Sequence, residues 1–451
     1  MRIGVVWALA LLGAAQEGRR PNVLFLFADD QRFDTIRELG NPEIVTPNLD
    51  GLVREGTAFI RAYIPGGDQP AVCVPSRAML LTGRHFFRMD KGIPDGVPMW
   101  TELMRDAGYV TFGTGKWHNG PRTYARGFVD GGPVFFGGMG DQAKVRVQDF
   151  DPAGKYAKGR ERIGEKYSTE LFADGAVRFL EGHKGEKPFF LYCAFTSPHD
   201  PRTPPRKYAD LYDPAKLALP KSFLPEHPFD NGELKVRDEQ LAPWPRTPEV
   251  VRRHVADYYG MISHLDAEIG RILETLRKKG LAEETIVVFA GDNGLALGRH
   301  GLFGKQNVYD PSVHVPLVMR GPGIPKGKRS EAMCYLLDVM PTVLEKAGIA
   351  RPEGLDGRSL VPVIAGGKAK HRESLLFAYR TFQRAVQDER WKLIEYDVAG
   401  KRTTQLFDLA EDPEETRSLA GEPAQAAIVD RLRAELARLQ KEWGDPLSKG
   451  R

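Results

Sequence analysis

The chain has 451 residues, 41% hydrophobic and 27% charged, with 64 Lys and Arg against 60 Asp and Glu for a formal net charge of +4. That length exceeds one small core and suits a large domain with a smaller companion. A balanced charge without long runs of one sign excludes a disordered polyelectrolyte, and it argues against dedicated nucleic-acid or membrane binding.

Met1 and Arg2 precede an apolar run from Ile3 to Ala15, followed by Gln16 and Glu17. The run is short for a bilayer and ends in small residues, which predicts a signal peptide over 1–15. A retained N-terminal anchor is the competing reading. With the leader cleaved, the protein is expected to be exported, periplasmic or extracellular, with no membrane attachment.

Over 20–370, apolar β-branched runs alternate with helical patterns, which predicts an α/β fold with a large, mostly parallel sheet flanked by helices. Strands are expected at 22–28, 109–114, 188–195, 285–290 and 316–319. A long helix is expected over 251–279, its apolar face running through Val255, Ile262, Leu265, Ile269 and Leu276, with Gly280 as its stop. Ten of the 33 prolines fall between Asp200 and Val250, so that stretch reads as an extended excursion. From 371 to 451, short strands at 375–379, 391–396 and 405–409 and a helix over 425–443 predict a small antiparallel α+β domain.

Three cysteines cannot build a disulfide framework. Cys193 and Cys334 sit in apolar runs and are expected to be buried thiols, which leaves Cys73 to explain. No Asn-x-Ser/Thr sequon occurs, in keeping with a bacterial envelope protein.

Open parallel sheets bind ligands outside the carboxyl ends of their strands. Four predicted strands end there in chemistry-bearing residues: Asp29-Asp30, Lys116-Trp117-His118, Pro198-His199-Asp200 and Asp292-Asn293-Gly294. Taken singly each reads as a turn, but four at one edge form a pattern. Carboxylates with an amide make a hard oxygen cage suited to Ca²⁺ or Mg²⁺. Lysines and histidines beside it suit an oxyanion and proton transfer. The residues alone thus point to metal-assisted hydrolysis of a phosphate or sulfate ester.

The run from Cys73 through Pro75, Ser76 and Arg77 to Leu81-Thr82-Gly83-Arg84 resembles the C-x-P-S-R…L-T-G-R hallmark of type I, formylglycine-dependent sulfatases of the alkaline-phosphatase superfamily. Further stretches resemble that family in order, from Pro21-Asn22-Val23 through Gly115-Lys116-Trp117-His118, Ser197-Pro198-His199, Gly291 to Gly294 and His300 to Lys305, to Leu406 to Leu409. The resemblance implies an alkaline-phosphatase-like fold. It also implies that an exogenous formylglycine-generating enzyme oxidises Cys73 to formylglycine. Asp29, Asp30, Asp292, Asn293 and the matured Cys73 would bind one divalent cation, calcium before magnesium. Arg77 would hold the formylglycine hydrate, and Lys116 and Lys305 the sulfate. His118 and His199 would transfer protons, His199 to the leaving oxygen and His118 from the nucleophilic carbon's second hydroxyl, or with the two roles exchanged.

Pro75 favours a first helical turn, so Cys73 is expected at a helix N-terminus, under its positive dipole. Asn119, Pro121 and Asp310 depart from the family pattern and are expected to affect substrate contacts at most. The implied activity is sulfuric ester hydrolysis, with a sulfated carbohydrate favoured as substrate. A formylglycine-dependent phosphodiesterase or phosphonate monoester hydrolase is the first alternative, and a non-catalytic binder of sulfated glycans the second. Arg202, Arg206 and Lys207 in the proline-rich excursion are either contacts for an anionic sugar or a solvated loop.

Overall fold

The computed structural model describes residues 20–89, 92–367 and 370–450. The leader expected over 1–15 lies outside them.

Eight strands form the main sheet: β1 (Asn22–Ala28), β2 (Thr57–Phe59), β3 (Val110–Lys116), β4 (Asp130–Phe135), β5 (Phe189–Ala194), β6 (Thr285–Gly291), β7 (Leu317–Arg320) and β8 (Lys328–Ser330). Their order is β8-β2-β7-β6-β1-β5-β3-β4. Neighbours from β6 to β4 pair in parallel, and β7 runs antiparallel to both β6 and β2. β1 lies in the middle because every one of its side chains is apolar or buried. Val23, Phe25 and Phe27 point into one core, and Leu24, Leu26 and Ala28 into the other. A strand covered on both faces reads as a continuous apolar run, as this one does. Each such buried side chain contributes about 1.5–3 kcal/mol.

Four helices matter for the site: α1 (Cys73–Thr82), α2 (Ser168–Gly182), α3 (Pro248–Lys278) and α4 (Ala426–Trp443). α3 begins with Thr247 accepting a hydrogen bond from Val250 N–H and with Pro248 in its first turn, and it ends before Gly280. The sequence prediction placed its start three residues later.

A second sheet contains β9 (Leu375–Tyr379), β10 (Gln383–Gln387), β11 (Trp391–Val398) and β12 (Lys401–Asp408), an antiparallel meander packed on α4. β10 was missed in the sequence because its polar residues look solvent-facing. In fact Gln383, Arg384 and Gln387 are buried, each hydrogen-bonded to another part of the chain. β9 also pairs in parallel with Gly66–Gly67, just ahead of Cys73, so the second sheet is stitched to the segment that leads into α1. The proline-rich excursion is irregular, as expected. It is nonetheless packed, with Tyr212, Leu217 and Ala242 buried in a core shared with α3 and Phe303.

Candidate active site

The four chemistry-bearing strand ends belong to β6, β1, β5 and β3, four consecutive neighbours. Backbone hydrogen bonds continue past the strands: Asp29 N–H donates to Ser197 O (3.1 Å) and Asp292 N–H to Ala28 O (3.1 Å). Asp29, Asp292 and the Ser197–Asp200 segment therefore emerge side by side. Lys116 is delivered by a register shift in β3 between Gly113 and Gly115. Gly115 has φ +94°, and a Cβ there would meet Ala194 O at 1.8 Å, so only glycine fits. Asp30 and His118 adopt left-handed backbone angles (φ 66° and 58°), the kind of local strain that active sites retain.

α1 enters beneath this edge and is anchored to it. Ser76 Oγ donates to Asp292 O (2.5 Å), Arg77 Nε to Asp292 Oδ2 (2.9 Å) and Arg77 Nη1 to Lys116 O (2.7 Å). Arg77 Nη2 lies 3.6 Å from Asp29 Oδ1, and the guanidinium packs on the Phe27 ring. Arg77 thus braces the carboxylates and the lysine strand from below. Gly83 closes the helix in the left-handed conformation, its N–H donating to Met79 O.

Cys73, the first residue of α1, sits in the floor of a cavity of about 230 Å³ that is also lined by His118, His199 and Lys305. Its Sγ is 3.1 Å from His118 Nδ1 and 3.7 Å from Lys116 Nζ. Lys116 Nζ also donates to Asp29 Oδ2 and Gly138 O, both at 2.6 Å. Lys305 Nζ donates to Asp30 Oδ1 (2.6 Å), which also accepts from Asn293 Nδ2 (2.7 Å). Asp30 N–H donates to Asp292 Oδ1 (2.9 Å). His199 Nδ1 faces its neighbour's carbonyl, Asp200 O (2.8 Å), and Nε2 lies 3.7 Å from Asp30 Oδ2. All ten residues singled out in the sequence converge here.

Burial holds the Asp29 carboxyl well above the usual carboxylate range, with Lys116 opposing it and Asp292 adding to it. Burial also pushes Asp30 up, but Lys305 and Lys116 outweigh it, and Asp30 ends below the usual range. Burial and then the lysines drive both His118 and His199 far below an ordinary imidazole, so both are neutral. For Cys73, burial wins over both lysines and raises the thiol.

Two buried oxygens, Asp29 Oδ1 and Asn293 Oδ1, accept no hydrogen bond. An orphaned buried acceptor is costly, and these two lie in the same acidic cluster as Asp292, where a bound ligand could satisfy them. Ligand atoms of Asp29, Cys73 and Asp292 lie within 4.8 Å of one another. This all-oxygen set, joined by position 73, fits a hard divalent cation.

A family model for sulfatases matches residues 21–349. The chain belongs to the sulfatase family. A second model, for the C-terminal part of N-sulphoglucosamine sulphohydrolase, matches 298–442. An N-acetylglucosamine-6-O-sulfatase from Bacteroides thetaiotaomicron is 26% identical over 97% of this chain and 90% of its own length. A solved protein in complex with its substrate D-glucosamine-2-N,6-O-disulfate superposes with a TM-score of 0.81 at 24% identity, covering 95% of this chain and 99% of the other. A phosphonate monoester hydrolase from Silicibacter pomeroyi superposes at 0.74 with 26% identity, covering 94% and 96%. The fold is that of the alkaline-phosphatase-like sulfatases, and the protein is a sulfatase enzyme.

Other residues of this sulfatase reach the cavity without a sequence signal. Met139, Val236, Arg237, Asp238 and Gln306 line it. They sit on loops whose distance to Cys73 no local pattern records. Arg202, Arg206 and Lys207 are absent from its lining, and Arg206 is almost fully exposed. Asp310 is turned away from the site, its carboxylate on Lys392 Nζ (2.6 Å) under the second sheet. Pro121 opens a short helix, Pro121–Gly127, and Asn119 reaches the Val74 carbonyl. A larger cavity of about 510 Å³ lies elsewhere, beside Asp34, Tyr259 and Arg299, and contains none of the nucleophilic or cage residues.

Proposed function

We propose that this sulfatase releases inorganic sulfate from a sulfated carbohydrate, using Cys73 matured to formylglycine and one divalent cation, Ca²⁺ before Mg²⁺. The observation that carries the reading is the position of Cys73: its sulfur lies in a buried floor between a neutral imidazole and a lysine, in a cluster where the Asp29 carboxylate and the Asn293 amide each keep an orphaned oxygen. A raised thiol has no use for that setting, whereas an oxidised carbon does.

Asp29, Asp30, Asp292 and Asn293 would hold the cation, with the group at position 73 completing the set. Bound there, it would polarise a sulfate oxygen and lower the cost of charge on the attacking oxygen. An aldehyde at position 73 supplies, once hydrated, one hydroxyl to attack sulfur and a second to expel sulfate afterwards.

The chain's own residues do the rest. Lys116 and Lys305, each already held by an aspartate, present ammonium groups to the sulfate oxygens. Arg77 fixes Asp292 and Asp29 from below. His118, neutral and 3.1 Å from the position-73 sulfur, takes a proton from that side chain. His199, its Nδ1 held by Asp200 O, takes up a proton from solvent at Nε2 once bound sulfate brings negative charge beside it, and passes that proton to the leaving oxygen. The floor side chains Cys73, Lys116, His199 and Lys305 are buried, which limits water at the reacting centre.

The glucosamine sulfate bound to the solved relative and the N-acetylglucosamine-6-O-sulfatase match support a sulfated sugar as substrate class. Likeness to a phosphonate monoester hydrolase supports the alternative ester. Sulfate release from a panel of sulfated mono- and disaccharides, measured beside turnover of a phosphonate monoester, decides between them. Faster turnover of the phosphonate would overturn the reading. In this proposal residues 20–370 form the catalytic domain and 371–451 a C-terminal subdomain. Export follows cleavage after Ala15, and maturation needs a formylglycine-generating partner enzyme.

A further inference from the structure

The cavity above Cys73 has an outer wall that takes no part in the proposed chemistry. The proline-rich excursion supplies Val236, Arg237 and Asp238, with Arg237 touching Met139 and Gln306 linking Asp238 to Pro70. Arg237 is the cation of this wall, and its guanidinium is already engaged. It forms a two-point pair with Asp200, one contact being Nη2 to Oδ1 at 3.1 Å, and Nη2 also donates to Asp238 Oδ1 at 2.6 Å. Arg237, Asp200 and Asp238 together carry one negative charge, with Arg202 acting on Asp200 and Lys305 on Asp238 as the next cations.

Asp238 is fixed from both sides. Oδ1 accepts from Arg237, and Oδ2 accepts from Gln306 Nε2 at 2.8 Å. Gln306 is itself saturated: Nε2 also donates to Pro70 O (2.8 Å), and Oε1 accepts from Lys305 N–H (3.0 Å). A carboxylate has about four acceptor sites, so each oxygen of Asp238 keeps a free lone pair on the cavity wall. A rigid acceptor beside the apolar surface of Met139 and Pro70 matches a sugar ring, whose hydroxyl edge is polar and whose face is not. A second sulfate or a carboxylate in the same place would meet like charge.

We propose that Asp238 is a specificity-determining contact. It accepts hydrogen bonds from hydroxyls of the sugar carrying the scissile sulfate, and it disfavours esters with a second anionic group on that ring. The inference rests on the sulfated-sugar reading above and narrows it to neutral, singly sulfated rings.

The test compares kcat/KM of the wild type, Asp238→Asn and Arg237→Gln on three probes: the best-cleaved singly sulfated hexose or hexosamine, its disulfated counterpart, and 4-nitrophenyl sulfate, which has no hydroxyls. Hydrogen bonds to a charged group stabilise by about 1.5–3 kcal/mol, so Asp238→Asn is expected to lose about 10- to 100-fold on the singly sulfated sugar. Its loss on the aryl ester should be at least about ten times smaller, and its preference for one sulfate over two should shrink. Arg237→Gln, which unmasks the carboxylates, should enlarge that preference. Equal losses on sugar and aryl ester would overturn the proposal, since they would mean that Asp238 acts only by holding Gln306 and Lys305. So would wild-type preference for the disulfated ring. If no probe releases sulfate, the sulfatase chemistry itself fails. If only the aryl ester does, that chemistry stands and the sugar contact falls.

Discussion

Asp29, at the sheet edge, and Asp338, ahead of the helix Val339–Lys346, are both fully buried, with an arginine nitrogen at 3.6 Å from the first and hydrogen-bonded to the second. Asp338 is saturated: its oxygens accept from Arg372, His371 and the backbone N–H groups of Tyr335 and Arg358. Burial alone would raise it, yet Arg372 and His371 hold it far below the usual carboxylate range. Asp29 has Lys116 and a distant arginine, keeps an orphaned oxygen and two acidic neighbours, and ends raised. The same residue type at the same burial is finished in one place and unfinished in the other. An unfinished charge deep in a fold marks where a ligand belongs, because water cannot supply what the protein withholds.

The comparison can be broken by exchanging its outcomes. The largest expected effect is on activity at the unfinished site. Asp29→Asn should lower sulfate release by about 10³-fold or more, as removal of a transition-state electrostatic group does. In the cation-free protein the same change should cost less stability than Asp338→Asn, because Asp29 is opposed by two acidic neighbours as well as paired with Lys116. Calcium should raise the melting temperature of the wild type and not of the variant, by mass action on the folded state. A variant that calcium still stabilises to the same degree would show that the cage does not bind it.

At the finished site the effect should fall on stability. Asp338→Asn leaves Arg372 buried without its counter-charge and is expected to cost about 3–5 kcal/mol in denaturant unfolding. Activity of the folded fraction should persist. The pH dependence carries a sign. A carboxyl depressed in the folded state stabilises fully above its unfolded pKa of about 3.9 and loses that contribution as pH falls through the folded value. The stability gap between wild type and Asp338→Asn should therefore be constant near neutrality and narrow as the pH drops below about 4. A gap that widened on acidification would contradict the assignment. The smallest effect belongs to the exposed excursion: Arg206→Ala should change sulfate release by less than about twofold and stability by at most about 0.5 kcal/mol, judged by parallel kinetics and melting curves.

The contrast also explains which parts of the molecule could be read in the sequence. β1, β5 and β6 were legible because a two-faced buried strand has to be a continuous apolar run, and the residues just past them then fall at the ligand-binding edge. Nine of the ten candidate residues thus needed only strand ends and the Cys73 motif, and Lys305 came from the family-like stretch His300 to Lys305. Asp238 and Gln306 were illegible, because their relation to Cys73 depends on loops folded across long sequence separations. β10 was illegible for a different reason. Its buried glutamines and arginine are satisfied by tertiary partners, and alternation of polar and apolar residues does not encode such partners. The finished site was legible only in part, since Asp338 with Pro341-Thr342 resembles the family but nothing in the sequence pairs it with His371 and Arg372.

The central claim is that the floor of the cavity is built around an oxidised carbon at position 73. Mass spectrometry of the tryptic peptide running from Ala62 to Arg77, taken from fully active protein, tests it most directly. The account predicts an aldehyde in place of the Cys73 thiol, and loss of sulfate release in preparations that lack it. Full activity with only the unmodified cysteine in that peptide would contradict it.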